Sequence, residues 1–290
     1  NWKQVSAGEQ HTAAIKTDGT LWAWGLNSYG RLGDNTTARR STPIQEFTSS
    51  TNWKQVAAGY RHTVAIKTDG TLWAWGRGID GQLGDNTLVE KNTPIQVGTA
   101  TNWKQVVGAQ DRSIAIKTDG TLWAWGTNFN GGLGTGFGQT YVSNPSQIGT
   151  ATNWKQVSAE SSFHAAAIKT DGTLWSWGDS ANFAVGVGQF GDNTSVAVRG
   201  TPIQEFTSST NWKQVAAGGK QTSASTAAIK TDGTLWLWGN NSNGQVGDNT
   251  NANNRSTPRQ EITSSTNWKQ VSLSEAYSAA IKSDQYPRLY

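Results

Sequence analysis

The chain has 290 residues, a formal net charge of +4, 15% charged residues, 33 glycines and 16 tryptophans, with neither cysteine nor methionine. Without cysteine there is no disulfide, no thiolate nucleophile and no cysteine-held metal, and no apolar run approaches the roughly 18 residues of a membrane-crossing helix. The length is enough for a large buried core, and the missing methionine at position 1 leads us to expect a processed product or a piece of a longer chain.

A small set of segments recurs along the chain, and such self-similarity decides the architecture before any local reading. Asn-Trp-Lys-Gln-Val begins at Asn1, Asn52, Asn102, Asn153, Asn211 and Asn267. These positions define repeat units 1–51, 52–101, 102–152, 153–210, 211–266 and a partial unit 267–290. In the first unit Trp2-Lys-Gln-Val-Ser reads as one strand and Thr12-Ala-Ala-Ile-Lys as a second. Asp18-Gly19 follows, a signal for a two-residue hairpin turn. Thr20-Leu-Trp-Ala-Trp is the third strand. Gly25 to Gly33 and Asp34-Asn35-Thr36 read as loop and turn. Thr42-Pro-Ile-Gln is the fourth strand, which Pro43 confines to a sheet edge.

The third strand sets the fold class. Leu21 and Ala23 point to one face, Trp22 and Trp24 to the other, so both faces of a small sheet are apolar and both need cover. Four-stranded sheets packed face to face supply it. We therefore expect an all-β chain, residues 1–290 as one β-propeller domain, with six blades and an incomplete last blade; seven if sequence is missing. An open β-solenoid is the alternative. The last unit departs from the pattern after Ile281, where Ser283 to Tyr290 replace the hairpin turn and third strand.

The unit from Val5 to Gly33, Val-x-Ala-Gly-x-x-His-Thr-x-Ala-Ile-x-x-Asp-Gly-x-Leu-Trp-x-Trp-Gly-x-Asn-x-x-Gly-x-Leu-Gly, resembles the repeat of the regulator of chromosome condensation family, in its bacterial or phage wording. The resemblance covers essentially the whole chain. It implies a propeller and leaves function open, since the family includes a guanine-nucleotide exchange factor, a secreted β-lactamase inhibitor and many bacterial and phage proteins.

Chemistry-bearing residues mostly have structural explanations. His11, His62 and His164 share one repeat position, which Arg112, Ser225 and Tyr277 fill elsewhere, and we expect them to pack or hydrogen-bond near a loop. No spacing suggests a zinc site. Asp18 and Asp34, with their copies, are explained by turn chemistry, and Asp34-Asn35-Thr36 supplies too few oxygens for a calcium loop. No Ser–His–Asp arrangement, phosphate loop or cofactor motif is legible, so no cofactor is expected. The lysines after Trp and after Ile read as an evenly spread, solvated face, which makes nucleic acid an unfavoured partner. The tryptophans read as blade-to-blade core.

The repeats differ in their loops. Aromatic, arginine and aspartate side chains concentrate there: Tyr29, Arg31, Tyr60, Arg61, Arg77, Asp80, Asp111, Arg112, Phe129, Phe137, Tyr141, Phe163, Phe183 and Phe190. Constant strands with varied loops suit a scaffold that displays a binding surface; neutral drift in tolerant loops explains the same pattern. We expect a non-enzymatic recognition or adhesion module, extracellular and on a cell surface or virion, that meets a protein or glycan surface or other subunits of a virion or surface assembly. A secreted propeller that inhibits an enzyme is the alternative, and an enzyme with a site at the channel mouth is third. Nucleotide exchange on a small GTPase is least favoured. An inhibitor would need a concentrated aromatic and acidic patch on one face, so mapping the loop residues onto one rim discriminates that reading from the others.

Overall fold

The computed structural model describes residues 1–159, 164–179, 188–219, 223–251, 254–274 and 277–283. It is all-β, with one short 3-10 turn at Phe129–Gly131 among the described residues. The first repeat forms β1 (Trp2–Ala7), β2 (His11–Lys16), β3 (Leu21–Gly25) and β4 (Arg40–Gln45). The second forms β5 (Trp53–Ala58), β6 (His62–Lys67), β7 (Leu72–Gly76) and β8 (Lys91–Gln96). The third forms β9 (Trp103–Gly108), β10 (Arg112–Lys117), β11 (Leu122–Thr127) and β12 (Tyr141–Gln147). Then come β13 (Trp154–Ser158), β14 (His164–Lys169), β15 (Leu174–Asp179), β16 (Val198–Gln204), β17 (Trp212–Gly218), β18 (Ser225–Lys230), β19 (Leu235–Gly239) and β20 (Arg255–Gln260). The described chain closes with β21 (Trp268–Leu273) and β22 (Ser278–Lys282). Five repeats make four-stranded antiparallel sheets in chain order, and β21 and β22 make a two-stranded one. The chain divides into two compact units, Asn1–Val157 and Ser158–Tyr290.

The strands fall where the alternation places them, and β4, with its Pro43, is an edge strand. The turn between β2 and β3 is longer than the Asp-Gly pair suggested. Gly19 N donates to Lys16 O (3.0 Å) and Lys16 N to Thr20 O (2.9 Å). Thr17 and Asp18 therefore form the turn proper, with Gly19 at φ +81° after them. Asp18 Oδ1 locks it by accepting from the Thr20 amide and hydroxyl.

In the first unit, one face of each repeat covers the opposite face of the next. Ala13, Ile15, Leu21, Ala23 and Leu32 of repeat one bury Trp53, Val56, Ala65 and Trp75 of repeat two. Repeat two does the same to Trp103, Val106, Ala115 and Trp125. In the second unit the pattern returns, with Ala166, Ile168 and Leu174 against Trp212, Val215 and Trp238. The lysines after Ile are not simply solvated: Lys67 Nζ lies 4.0 Å from the Trp73 ring centre and 4.8 Å from that of Trp53. Lys16, Lys117 and Lys230 sit likewise. The aliphatic stems and the cation–π attraction use them as covers for the tryptophans.

The corner between repeats has two designs. After repeat one, buried Glu46 accepts from Thr48 N (2.6 Å), Ser50 N (3.0 Å) and Trp53 Nε1 (3.1 Å). Glu205 and Glu261 repeat this in the second unit. After repeats two and three, buried Val97 and Ile148 stand instead, and the buried Trp103 Nε1 has no hydrogen-bond partner. Glu46→Ala removes the acceptor of four donors, the Thr48 hydroxyl included, and is expected to cost about 2–4 kcal/mol. A urea-unfolding series including Glu46→Gln checks this, the glutamine variant losing less.

Candidate functional site

Antiparallel order sends two loops of each four-stranded repeat, β1–β2 and β3–β4 in the first, from one end of the strands; the Asp-Gly turn and the inter-repeat linker leave from the other. Within the first unit, Tyr29, Arg31, Tyr60, Arg61, Arg77, Asp80, Asp111, Arg112, Phe129, Phe137 and Tyr141 all lie at the first of these ends. In repeats one to three these loop residues thus share one strand end.

Several of these residues form a connected group. The Arg77 guanidinium pairs with the Asp80 carboxylate and, at 3.1 Å, with Asp111 Oδ1. Arg61 Nη1 stands 3.9 Å from Asp111 Oδ2. Gln82, buried beneath, accepts from the Asp80 amide at 3.0 Å. The Arg61 guanidinium lies 4.7 Å from the centre of the Tyr60 ring, and that of Arg77 5.9 Å from Tyr29. Burial pushes the Asp111 carboxyl above the usual carboxylate range, against the opposing pull of Arg77 and Arg61. Arg31 donates to Tyr60 O (3.1 Å); burial, then the like charge of Arg61, lowers its pKa. The half-buried Tyr29, Tyr60, Arg61, Arg77, Asp80 and Asp111 can meet a partner with aromatic faces and both signs of charge.

Other candidates stand apart. Arg31, Arg112 and Phe190 are buried, so they are not displayed. Arg31 occupies the position of Gln82, Gln189 and Gln245, whose side chains also turn inward, and Arg112 takes the place of a buried histidine. Phe129, Phe137 and Tyr141 are exposed on repeat three. Phe163 and Phe183 lie outside the described residues. Sequence reasoning gave no weight to Ile79, Leu88 and Val89 of repeat two, which are also exposed at this strand end. Ile79 aligns with Phe129, and that repeat position was the available signal.

The histidines are structural. The Thr63 hydroxyl donates to Arg31 O (2.8 Å), so its oxygen accepts from His11 Nε2 (2.9 Å). That fixes a neutral tautomer with the proton on Nε2, while buried Nδ1 has no hydrogen-bond partner. Trp75 Nε1 also donates to Arg31 O (2.9 Å). His62, Ser113, Gln82 O and Trp125 repeat the arrangement. Burial first, and Arg31 second, lowers both histidines to about 3. The Gly-Asp-Asn-Thr loops are structural too: Asp34 accepts from Thr36 N, Thr36 Oγ1, Asn27 Nδ2 and Arg40 Nε. Among the described residues no three His, Asp or Glu side chains are grouped as a metal site would need.

A fold of repeated four-stranded sheets with this loop surface defines a propeller-type repeat protein. Residues 1–280 match the model of the RCC1-like domain, and the chain belongs to that family. It is 30% identical over 247 residues to the ultraviolet-B receptor UVR8 of Arabidopsis thaliana, covering 84% of this chain and 42% of the receptor. It is 27% identical to the human E3 ubiquitin-protein ligase HERC2 over 87% of this chain but 5% of the ligase. The chain thus spans less than half the length of these relatives. Among solved structures, human WBSCR16 superposes with a TM-score of 0.83 at 21% identity, over 99% of this chain and 73% of that one. Prp20p of Saccharomyces cerevisiae, described with its binding properties to Gsp1p and histones, gives 0.71 at 19% identity, over 98% and 83%.

Proposed function

We propose that this chain is a non-enzymatic, six-bladed binding propeller, its sixth blade built on β21 and β22, that recognises a protein through the loop end of repeats one to three. The observation that carries the reading is the Tyr29–Tyr60–Arg61–Arg77–Asp80–Asp111 group. Varied loops of three repeats bring together the residue types that anchor protein interfaces, on a scaffold whose Asp-Gly turns at the other strand end are constant. The charged groups are engaged with one another in ion pairs, an arrangement suited to recognition. The structural neighbour Prp20p, described with its binding properties to Gsp1p and histones, supports a protein partner over a glycan. A setting outside the cell, on a surface or virion, rests on the repeat wording and is tested by fractionating the source; recovery only from the cell interior would reject it.

The binding test uses the partner recovered from the source by cross-linking. A Tyr60→Ala/Arg61→Ala variant is expected to lose affinity about 100-fold while still unfolding cooperatively, at a cost of about 1–2 kcal/mol because both side chains are half-buried. Thr17→Glu, at the opposite strand end, should bind as the parent does. Equal loss from both changes would reject the assigned surface.

A further inference from the structure

Two consecutive junctions of the first unit are built alike and charged differently. Between repeats two and three, the Gln82 side chain accepts from Asp80 N (3.0 Å), and its Nε2 stands 3.5 Å from Asp111 Oδ1. Asp111 also receives Arg77 at 3.1 Å. Between repeats one and two, the same repeat positions hold Arg31 in place of Gln82 and Arg61 in place of Asp111. Two guanidiniums thus stand where the next junction has a carboxamide and a carboxylate. Repeats three, four and five carry Gly132, Gln189 and Gln245 at the Arg31 position, so repeat one alone of the five complete repeats places a cation there.

Arg31 is 1% exposed, and among the described residues no carboxylate stands within ion-pair distance of it. Its Nη1 donates to Tyr60 O (3.1 Å), its buried Nε has no acceptor, and its guanidinium lies 5.4 Å from the centre of the Tyr29 ring. Arg61 is its charged neighbour. The carboxylate oxygen facing Arg61, at 3.9 Å, belongs to Asp111, which already holds Arg77. Burial, and then the like charge of Arg61, keep the Arg31 guanidinium below the usual arginine range, against the smaller opposing pull of Tyr29, Glu9 and Tyr60. A buried charge without a partner is costly, and an anion arriving from outside would offset that cost.

We propose that the junction of repeats one and two is a carboxylate-binding subsite, in which an Asp or Glu side chain of the protein partner seats against Arg61 while Arg31 supports its charge from below. The arrangement is the Arg77–Asp111 pair of the next junction with the signs exchanged: there the chain supplies the carboxylate, here the partner does. Arg61, its side chain 32% exposed, makes the contact; guanidinium and carboxylate suit each other through paired N–H···O bonds. Arg31 acts through its charge, packed against Tyr29. The Tyr29 and Tyr60 rings limit water around both cations, which strengthens their attraction for an anion. The inference rests on the loop-end reading of the binding surface and adds what the partner brings to it, an acidic residue.

Thermal unfolding of the whole chain with glutarate as probe tests it, each sample set against sodium chloride of equal ionic strength. Glutarate at ten times its fitted Kd should raise the parent's midpoint by about 2–3 °C. Arg31→Gln installs the residue of repeats two, four and five; it should unfold above the parent in chloride and lose most of the glutarate shift. Arg61→Gln should lose the shift as well, and Arg39→Gln, which removes an exposed cation from the same strand end, should keep it. The partner recovered by cross-linking should bind Arg31→Gln about tenfold more weakly than the parent. No glutarate shift in the parent, an undiminished shift in Arg31→Gln or Arg61→Gln, undiminished partner binding by Arg31→Gln, or an Arg31→Gln variant that unfolds below the parent in chloride would overturn the proposal. A larger shift with inorganic phosphate than with glutarate would overturn the carboxylate and assign a phosphate group. The glutarate readout needs no partner, so its failure is separate from a failure of the affinity test of the loop surface.

Discussion

Gly33→Ala is expected to destabilise the first unit by about 3–5 kcal/mol, one of the largest single-residue effects in the chain. Gly33 has φ +72°, and a Cβ there would stand 2.8 Å from Trp75 Nε1 and 3.1 Å from Cδ1 and Cε2. Trp75 is fully buried and spends its indole N–H on Arg31 O. It cannot withdraw without losing that bond and opening the core between repeats one and two. Gly247 holds the same repeat position at φ +69°, with nothing among the described residues within 4 Å of its Cβ. Gly247→Ala therefore bears only the backbone term, about 1–2 kcal/mol. Urea unfolding of both variants reads the difference. Equal losses would show that conformation alone, and not the tryptophan, requires the glycine.

Acid should destabilise the first unit before its carboxylates titrate. His11 and His62 are held neutral, with pKa values near 3 against 6.5 for the free side chain. Between these values the unfolded chain binds more protons than the folded one, so stability falls as pH falls through and below 6.5. Each histidine contributes about 1.4 kcal/mol per pH unit there, or about 2–3 kcal/mol between pH 6.5 and 4.5. The double variant His11→Gln/His62→Gln should lose some stability at pH 7, since glutamine replaces the ring imperfectly. It should also lose that part of the pH dependence. Unfolding midpoints at pH 7, 6, 5 and 4.5 check this, and parallel profiles for parent and variant would show that the two rings do not titrate on unfolding.

The strands were legible in the sequence because Thr-Leu-Trp-x-Trp-Gly alternates without ambiguity and recurs in register with Ala-Ile-Lys. The turn length was not. Asp18-Gly19 is compatible with a two-residue hairpin, and only the Lys16–Thr20 pairing sets the longer one. The lysines after Trp are exposed as expected, whereas those after Ile were misread as solvated because a one-residue reading misses cross-strand placement: Trp2 pairs in register with Lys16, and both meet the Trp22 side of the sheet.

Most of the candidate site was visible as loop variation, yet burial divided it. Arg31 and Phe190 resemble display residues in sequence, but their backbone carbonyls serve the neighbouring strands: Arg31 O accepts from Thr63 and Trp75, and Phe190 O from Ser176. Their side chains turn inward with the loop. The pairing of Arg77 and Arg61 with Asp111 needed three-dimensional neighbours from different repeats, which no spacing within one repeat encodes.

The most direct measurement for the central claim is site-specific photo-cross-linking in the protein's own source. A photo-reactive phenylalanine analogue is placed at position 60 in place of Tyr60, and in a parallel sample at position 17 in place of Thr17. The account predicts one discrete protein adduct from position 60, lost when Arg77→Ala is added, and none of that adduct from position 17. The same adduct in equal yield from both positions, or from position 60 regardless of Arg77, would contradict a binding surface at the loop end of repeats one to three.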